Sequence, residues 1–220
     1  PMLTRRYFTT DSISLEYAEG PDNGSTIVVI HGITGRWQEN IPLFSPLTFN
    51  HRVYALSLRG HGNSFRADRY RVADYSSDII TFIKSLKVSN ITLIGHSLGG
   101  LIALDVASKN PDIIRSVCTI DPVFFPELLD QPWWKETFQT WRTLAAEFDD
   151  REHNKEIVYR ALSENTSAAR LKAKAIARCD ARVLDIDSED IRSVNREAIL
   201  AAIKCPVHII YGNPEKGGIL

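Results

Sequence analysis

Residues 91–107 read ITLIGHSLGGLIALDVA, and this stretch constrains the fold more tightly than any other. ITLIG is apolar and β-branched, as a strand covered on both faces requires. Beyond it Leu101, Leu104 and Ala107 recur at helical spacing, and Pro111 marks the end of the pattern. Strand must therefore become helix within Gly95-His96-Ser97-Leu98-Gly99. So sharp a turn drives the strand end against the first helical turn, and only tiny residues two before and two after the serine allow it. The serine hydroxyl then stands at the carboxyl edge of a sheet, over a helix N-terminus whose N–H groups favour negative charge.

The same alternation runs through the first half of the chain. TIVVI (26–30), RVYALSL (52–58) and SVCTI (116–120) are further strand-like runs. DYSSDIITFIKSL places Ile79, Phe82, Ile83 and Leu86 on one helical face. Strand, helix, strand in this rhythm predicts an α/β fold, a doubly wound and mostly parallel sheet with right-handed crossovers. From Phe124 to Ile203 the pattern is helical, and CPVHIIYG (205–212) returns to a strand. The expected organisation is residues 1–123 as the first part of the core, 124–203 as a helical lid, and 204–220 as the start of the core's C-terminal part. Trp133, Trp134, Phe138 and Trp141 are expected to pack the lid onto the body, with lining of a pocket beneath it as the alternative.

The chain's 220 residues, 44% hydrophobic and 24% charged, suit one domain with a substantial core. A net charge of −1 and the lack of a Lys/Arg-rich run give no reason to expect a nucleic-acid partner. No stretch reaches the ~20 apolar residues a membrane span needs, and PMLTRRYFTTDSISLEY lacks the apolar region of a secretory signal. Cys118, Cys179 and Cys205 are odd in number and widely spaced, which reads as reduced thiols in a cytoplasmic protein. No metal-ligand spacing is present, and no acidic residue follows the glycines as a dinucleotide site would use, so neither metal nor cofactor is expected. The expected partner is a small-molecule substrate.

Gly95 to Gly99 fits G-x-S-x-G, the nucleophile elbow, and makes Ser97 the candidate nucleophile over a structural turn serine. In VVIHGIT (28–34) a His-Gly follows a buried strand and aims the next N–H into the site. Ile33 N–H paired with Leu98 N–H would form an oxyanion hole, a plain glycine turn being the alternative. RGHGNS (59–64) is a glycine-punctuated loop whose His61 reads as a hydrogen-bonded structural residue.

In this order and spacing HG, RGHGNS and GHSLGG resemble the α/β-hydrolase fold family over almost the whole chain. HGIT, DYSSDI and SVCTIDP are similar to the branch holding N-formylmaleamate deformylase and (E)-2-(acetamidomethylene)succinate hydrolase, which cleave amides. Most of the fold carries the triad acid in the turn after the lid, here YGNPEKGG with Asn213 and Glu215. The amide-cleaving branch places it at the end of the strand after the elbow, where this chain has Asp121; the resemblance thus favours Asp121, with Glu215 in reserve and an Asp-Pro turn as the bland alternative. The base follows the acid in this fold. His153 lies in a charged stretch and His208 inside a strand, so the catalytic histidine is expected beyond Leu220, in a natural chain roughly 40–60 residues longer.

The resemblance implies a serine hydrolase that cleaves an ester or amide of a small molecule through an acyl-enzyme. C–C bond hydrolysis, simple carboxylesterase action and non-catalytic binding of a small molecule are the alternatives. Dicarboxylate substrates would need cationic anchors, for which Arg142, Arg160, Arg170, Arg178 and Arg182 are the candidates. A pocket free of arginine would favour neutral esters.

Overall fold

The computed structural model describes residues 3–147, 167–186 and 188–213. Its centre is a seven-stranded sheet in the order β1-β2-β4-β3-β5-β6-β7. The strands are β1 (Thr4–Thr9), β2 (Ser14–Glu19), β3 (Ser25–Ile30), β4 (His51–Leu56), β5 (Ile91–His96), β6 (Ile114–Ile120) and β7 (Val207–Ile210). From β4 to β7 all neighbours pair parallel, while β1 and β2 form an antiparallel hairpin that joins β4 antiparallel.

The apolar run of β3 is continuous because both faces of the strand are covered. Val28 and Ile30 join Tyr54 and Leu56 in the larger core, while Ile27 and Val29 join Val53 and Ala55 in a smaller core on the other face. This two-residue alternation between cores is what a pleated strand at the middle of a sandwich of layers imposes.

The helices follow the expected crossovers. Helix α1 (Val72–Ser85) buries Tyr75, Ile79, Phe82 and Ile83, whereas Leu86 lies at its end and is half-buried. Helix α2 (Leu98–Lys109) is buried almost all round, from Leu98 to Ala107, because it is packed into the core rather than laid on its surface. Between β6 and β7 the described residues form helices α3 (Pro132–Glu147), α4 (Ser167–Ile176), α5 (Ser188–Ser193) and α6 (Arg196–Ala202), with no strand among them. The helical pattern over 154–163 lies outside the described residues. On β7, Ile209 and Ile210 are exposed.

The loop after β4 ties the helical segment to the sheet. Arg59 grips Asp78 of α1 with two 2.6 Å hydrogen bonds, and Asp180 N–H donates to Gly60 O at 2.7 Å. Gly60 has φ +76°, and a Cβ there would meet Tyr70 and Val183 at 2.5–2.6 Å, so no larger residue fits. Strand order places β4 on one side of β3 and β5 on the other. Chain connections leave the carboxyl ends of β3 and β5 in opposite directions, and open α/β sheets hold ligands in the crevice at such a point.

Candidate active site

Ser97 closes β5 and opens α2 with φ 52° and ψ −118°, a strained conformation for a residue with a side chain. Its neighbours show why the strain is possible only between glycines. A Cβ on Gly95 would fall 2.2 Å from Gly99 O, and one on Gly99 would fall 2.4 Å from Ile30 O on the adjacent strand. The turn is pinned by Ser97 N–H donating to Ile120 O at 2.9 Å and Val123 N–H donating to Ser97 O at 3.3 Å. Leu98 N–H lies in the first turn of α2, where the helix itself offers no acceptor.

The turn after β3 comes against this elbow. A Cβ on Gly32 would meet Ser97 Cβ at 3.0 Å, so Gly32 is small because the two loops touch. His31 donates from Nδ1 to Gly32 O at 2.7 Å and accepts Leu58 N–H at Nε2 at 2.9 Å. A carbonyl only accepts and an amide only donates, so these two partners assign the tautomer. Gly35 N–H also donates to Gly32 O, at 3.0 Å. The Gly32–Ile33 peptide is therefore held by its oxygen, which directs Ile33 N–H the opposite way and polarises it.

His61 is engaged in the same manner: Nδ1 donates to Arg59 O at 2.8 Å and Nε2 accepts Thr34 N–H at 3.1 Å. Burial lowers its pKa to about 4, and burial holds His31 well below the ordinary value, with His61 adding to the effect. Both are neutral props of the turn, with no lone pair left for proton transfer. His96 lines the cleft beside Ser97, and the surrounding protein followed by the Lys172 charge lowers its pKa. His51 bonds Ser25, His208 is exposed on β7, and His153 lies outside the described residues.

Asp121 stands at the carboxyl end of β6 with φ 44°. Its N–H donates to Ile210 O at 2.8 Å and its Oδ1 accepts Gly212 N–H at 2.5 Å, so it also joins the ends of β6 and β7. Asn213 is described and exposed, whereas Glu215 lies outside the described residues.

A cavity of about 250 Å³ opens over Ser97, just below the range of roughly 300–1,000 Å³ that ligand sites usually occupy. Trp133, Trp134, Phe138 and Trp141 of α3 line it. Trp134, Phe138 and Trp141 also pack against the main core, so these aromatics do both jobs between which the sequence left a choice. The expected arginine anchors are not found in its described wall. Arg142 reaches back to Leu184 O and Asp185, and Arg182 pairs with Asp180 at the surface. Arg178 does not line the cavity, while Arg160 and the side chain of Arg170 lie outside what is described. A lysine takes the place: Lys172 of α4, which sequence reading missed because nothing local distinguishes it from a solvated helix lysine. It is paired with Glu39, likewise unforeseen, whose carboxyl burial raises to about 7.

With this geometry in place, comparison with known proteins locates the chain. A 2-(acetamidomethylene)succinate hydrolase of Mesorhizobium japonicum is 36% identical over 111 residues, which are 49% of this chain and 40% of that protein. The matched stretch is thus well under half the length of that relative. The crystal structure of E-2-(acetamidomethylene)succinate hydrolase superposes with a TM-score of 0.77 at 25% identity, covering 96% of this chain and 81% of the other. N-formylmaleamic acid deformylase from Pseudomonas putida S16 superposes with a TM-score of 0.75 over 94% of this chain and 81% of its own, at 16% identity, which speaks to the fold alone. The family model described as alpha/beta hydrolase fold matches residues 25–183, well over half of the sequence, and the chain belongs to the α/β-hydrolase fold family.

Proposed function

We propose that the protein is a serine hydrolase that cleaves an ester or amide bond of a small molecule through an acyl-enzyme on Ser97. The observation that carries this reading is the strained elbow at Ser97, held between Gly95 and Gly99 at the mouth of a small aromatic-lined cavity. A structural serine has no need of that conformation, which costs stability and is retained where it serves chemistry.

In this mechanism Ser97 Oγ attacks the substrate carbonyl while an imidazole takes its proton. Ile33 N–H and Leu98 N–H receive the oxyanion that forms, and the fixed Gly32–Ile33 peptide avoids reorganisation during the step. The protonated imidazole then gives its proton to the leaving alcohol or amine, and water releases the acid by the reverse sequence. Asp121 is the acid that orients the imidazole and stabilises its charge. With Oδ1 engaged by Gly212 N–H, its other oxygen is the one that faces the base. The imidazole is assigned to a residue outside the described ones. His31 and His61 have both ring nitrogens bound to backbone, His51 bonds Ser25, and His208 lies exposed on β7. His96 precedes the acid, whereas the base follows it in this fold. Within 124–203 the described helices α3 and α4 act as the lid that shapes the cavity.

The names of the relatives point to amide-bearing dicarboxylates as one substrate type; the cavity by itself is equally suited to a small ester. A fluorophosphonate probe tests the reading. Covalent labelling of Ser97, lost in Ser97→Ala, is the expected result, whereas an unlabelled serine in a protein that still binds small molecules would make it a binding protein of hydrolase fold.

A further inference from the structure

The charged pair in the cavity wall is built in an unusual way. Lys172 Nζ stands 3.4 Å from Ile33 O, 3.9 Å from Glu39 Oε2 and 4.9 Å from the centroid of the Trp141 ring. None of these is a short charge-assisted hydrogen bond, which for an ammonium and a carboxylate runs at about 2.7–2.9 Å. Glu39 is no better served. Its Oε1 is buried without a hydrogen-bond partner among the described residues, an arrangement that is costly for a carboxylate and mild for a carboxylic acid. Both side chains line the cavity over Ser97. Among the described residues the cleft thus holds a cation short of a strong ligand beside a carboxyl group short of a partner.

We propose that Lys172 and Glu39 form a proton-linked carboxylate subsite beside the oxyanion turn, in which an anionic group of the substrate seats on the Lys172 ammonium as Glu39 takes up one proton. The proposal deepens the hydrolase reading by naming the substrate's second functional group as a carboxylate. A bound carboxylate and an ionised Glu39 would compete for one ammonium in a low-dielectric cleft, where like charges repel strongly. Protonation removes the repulsion and turns Glu39 into a donor for the incoming oxygen.

The charges facing Glu39 are Lys172 from α4 and Arg36 from its own loop, and both oppose the burial that brings its carboxyl to about 7. His31 and His96 share the cavity, but both titrate below the ordinary histidine value, so above neutral pH Glu39 is the group that responds. The binding-competent protonated form is therefore lost as pH rises through 7.

Succinate binding to the purified protein, read by tryptophan fluorescence and by calorimetry, tests this without requiring turnover. Affinity is expected to fall about tenfold per pH unit above pH 7, with close to one proton taken up per succinate in buffers of different ionisation enthalpy. Lys172→Met is expected to weaken binding at pH 6.5 by tenfold or more. Glu39→Gln, which keeps size and supplies a permanent N–H donor, is expected to bind with an affinity flat from pH 7 to 9. Affinity of the unaltered protein that does not change with pH, or Lys172→Met binding as tightly as the unaltered protein, would overturn the subsite. Proton-linked binding with Ser97 left unlabelled by fluorophosphonate would instead overturn the acyl-enzyme reading alone, and labelling without proton linkage would overturn the subsite alone.

Discussion

His31 donates from Nδ1 to the carbonyl oxygen of Gly32, 2.7 Å away, and that carbonyl belongs to the peptide whose other end is the Ile33 N–H. In the proposed mechanism the imidazole is thereby a positioning group for the Ile33 oxyanion donor, without touching the reacting atoms. His31→Ala is expected to lower kcat by about 10–100-fold with little change in KM, since the donor matters most where negative charge develops. Steady-state kinetics on an activated ester check this; an unchanged kcat would show that Gly35 N–H alone holds the peptide.

His61 props the same turn through Thr34 N–H, and its pKa of about 4 makes the prop sensitive to acid. Below 6.5, the ordinary histidine value, an unfolded chain takes up a proton that the folded one refuses until about pH 4. The contribution of neutral His61 is complete above pH 6.5 and is lost as pH falls towards 4, to an extent on the order of 3 kcal/mol. Arg66 and Lys172 act in the same direction as burial, and Asp180 opposes them. Thermal unfolding between pH 7 and 4 is expected to fall less steeply for His61→Gln, which does not titrate; parallel curves would contradict the assignment.

Ser97→Ala is expected to cut ester or amide hydrolysis by at least ~1000-fold, the oxyanion donors sustaining only a residual rate. The fold is expected to survive, because alanine retains the Cβ that the elbow already accommodates. Turnover retained in the purified variant would remove Ser97 from the mechanism.

Asp121→Asn separates the strand-joining contact of that residue from the catalytic role proposed for it. Asparagine still accepts Gly212 N–H, so the β6–β7 junction is expected to hold while the rate drops by about 100–10,000-fold. Glu215→Gln is expected to cost little. The opposite ranking of the two variants would move the acid to the turn after β7.

Gly95→Ala puts a methyl 2.2 Å from Gly99 O, a contact that only backbone movement relieves. The variant is expected to lose several degrees of Tm and most of its fluorophosphonate labelling together, because strand end and elbow are one rigid unit. Normal labelling at normal Tm would show that the turn is slack.

The elbow was legible in the sequence because its cause is local: Gly95 and Gly99 are small for the sake of neighbours a few residues away, and the strand and helix that force the collision flank them directly. The buried strands were legible for a related reason, since TIVVI is apolar on both faces wherever its covering layers come from. Sequence patterning showed far less of the β1–β2 hairpin. Arg5, Arg6, Glu16 and Glu19 interrupt its apolar pattern, and their charges find partners mainly on other segments, as in the 2.6 Å Arg6–Glu19 pair and the hydrogen bonds Glu16 accepts from Asn63. The cavity wall was decided by the tertiary structure alone. Lys172 and Glu39 sit in segments remote in sequence, and each has the look of an ordinary surface residue until α4 is laid over the turn after β3. Five arginines in the helical segment offer numerous candidate anchors, yet the position of a side chain on a packed helix depends on which face that helix buries. Local sterics write themselves into adjacent residues, whereas electrostatics between distant segments exists only once the chain has folded.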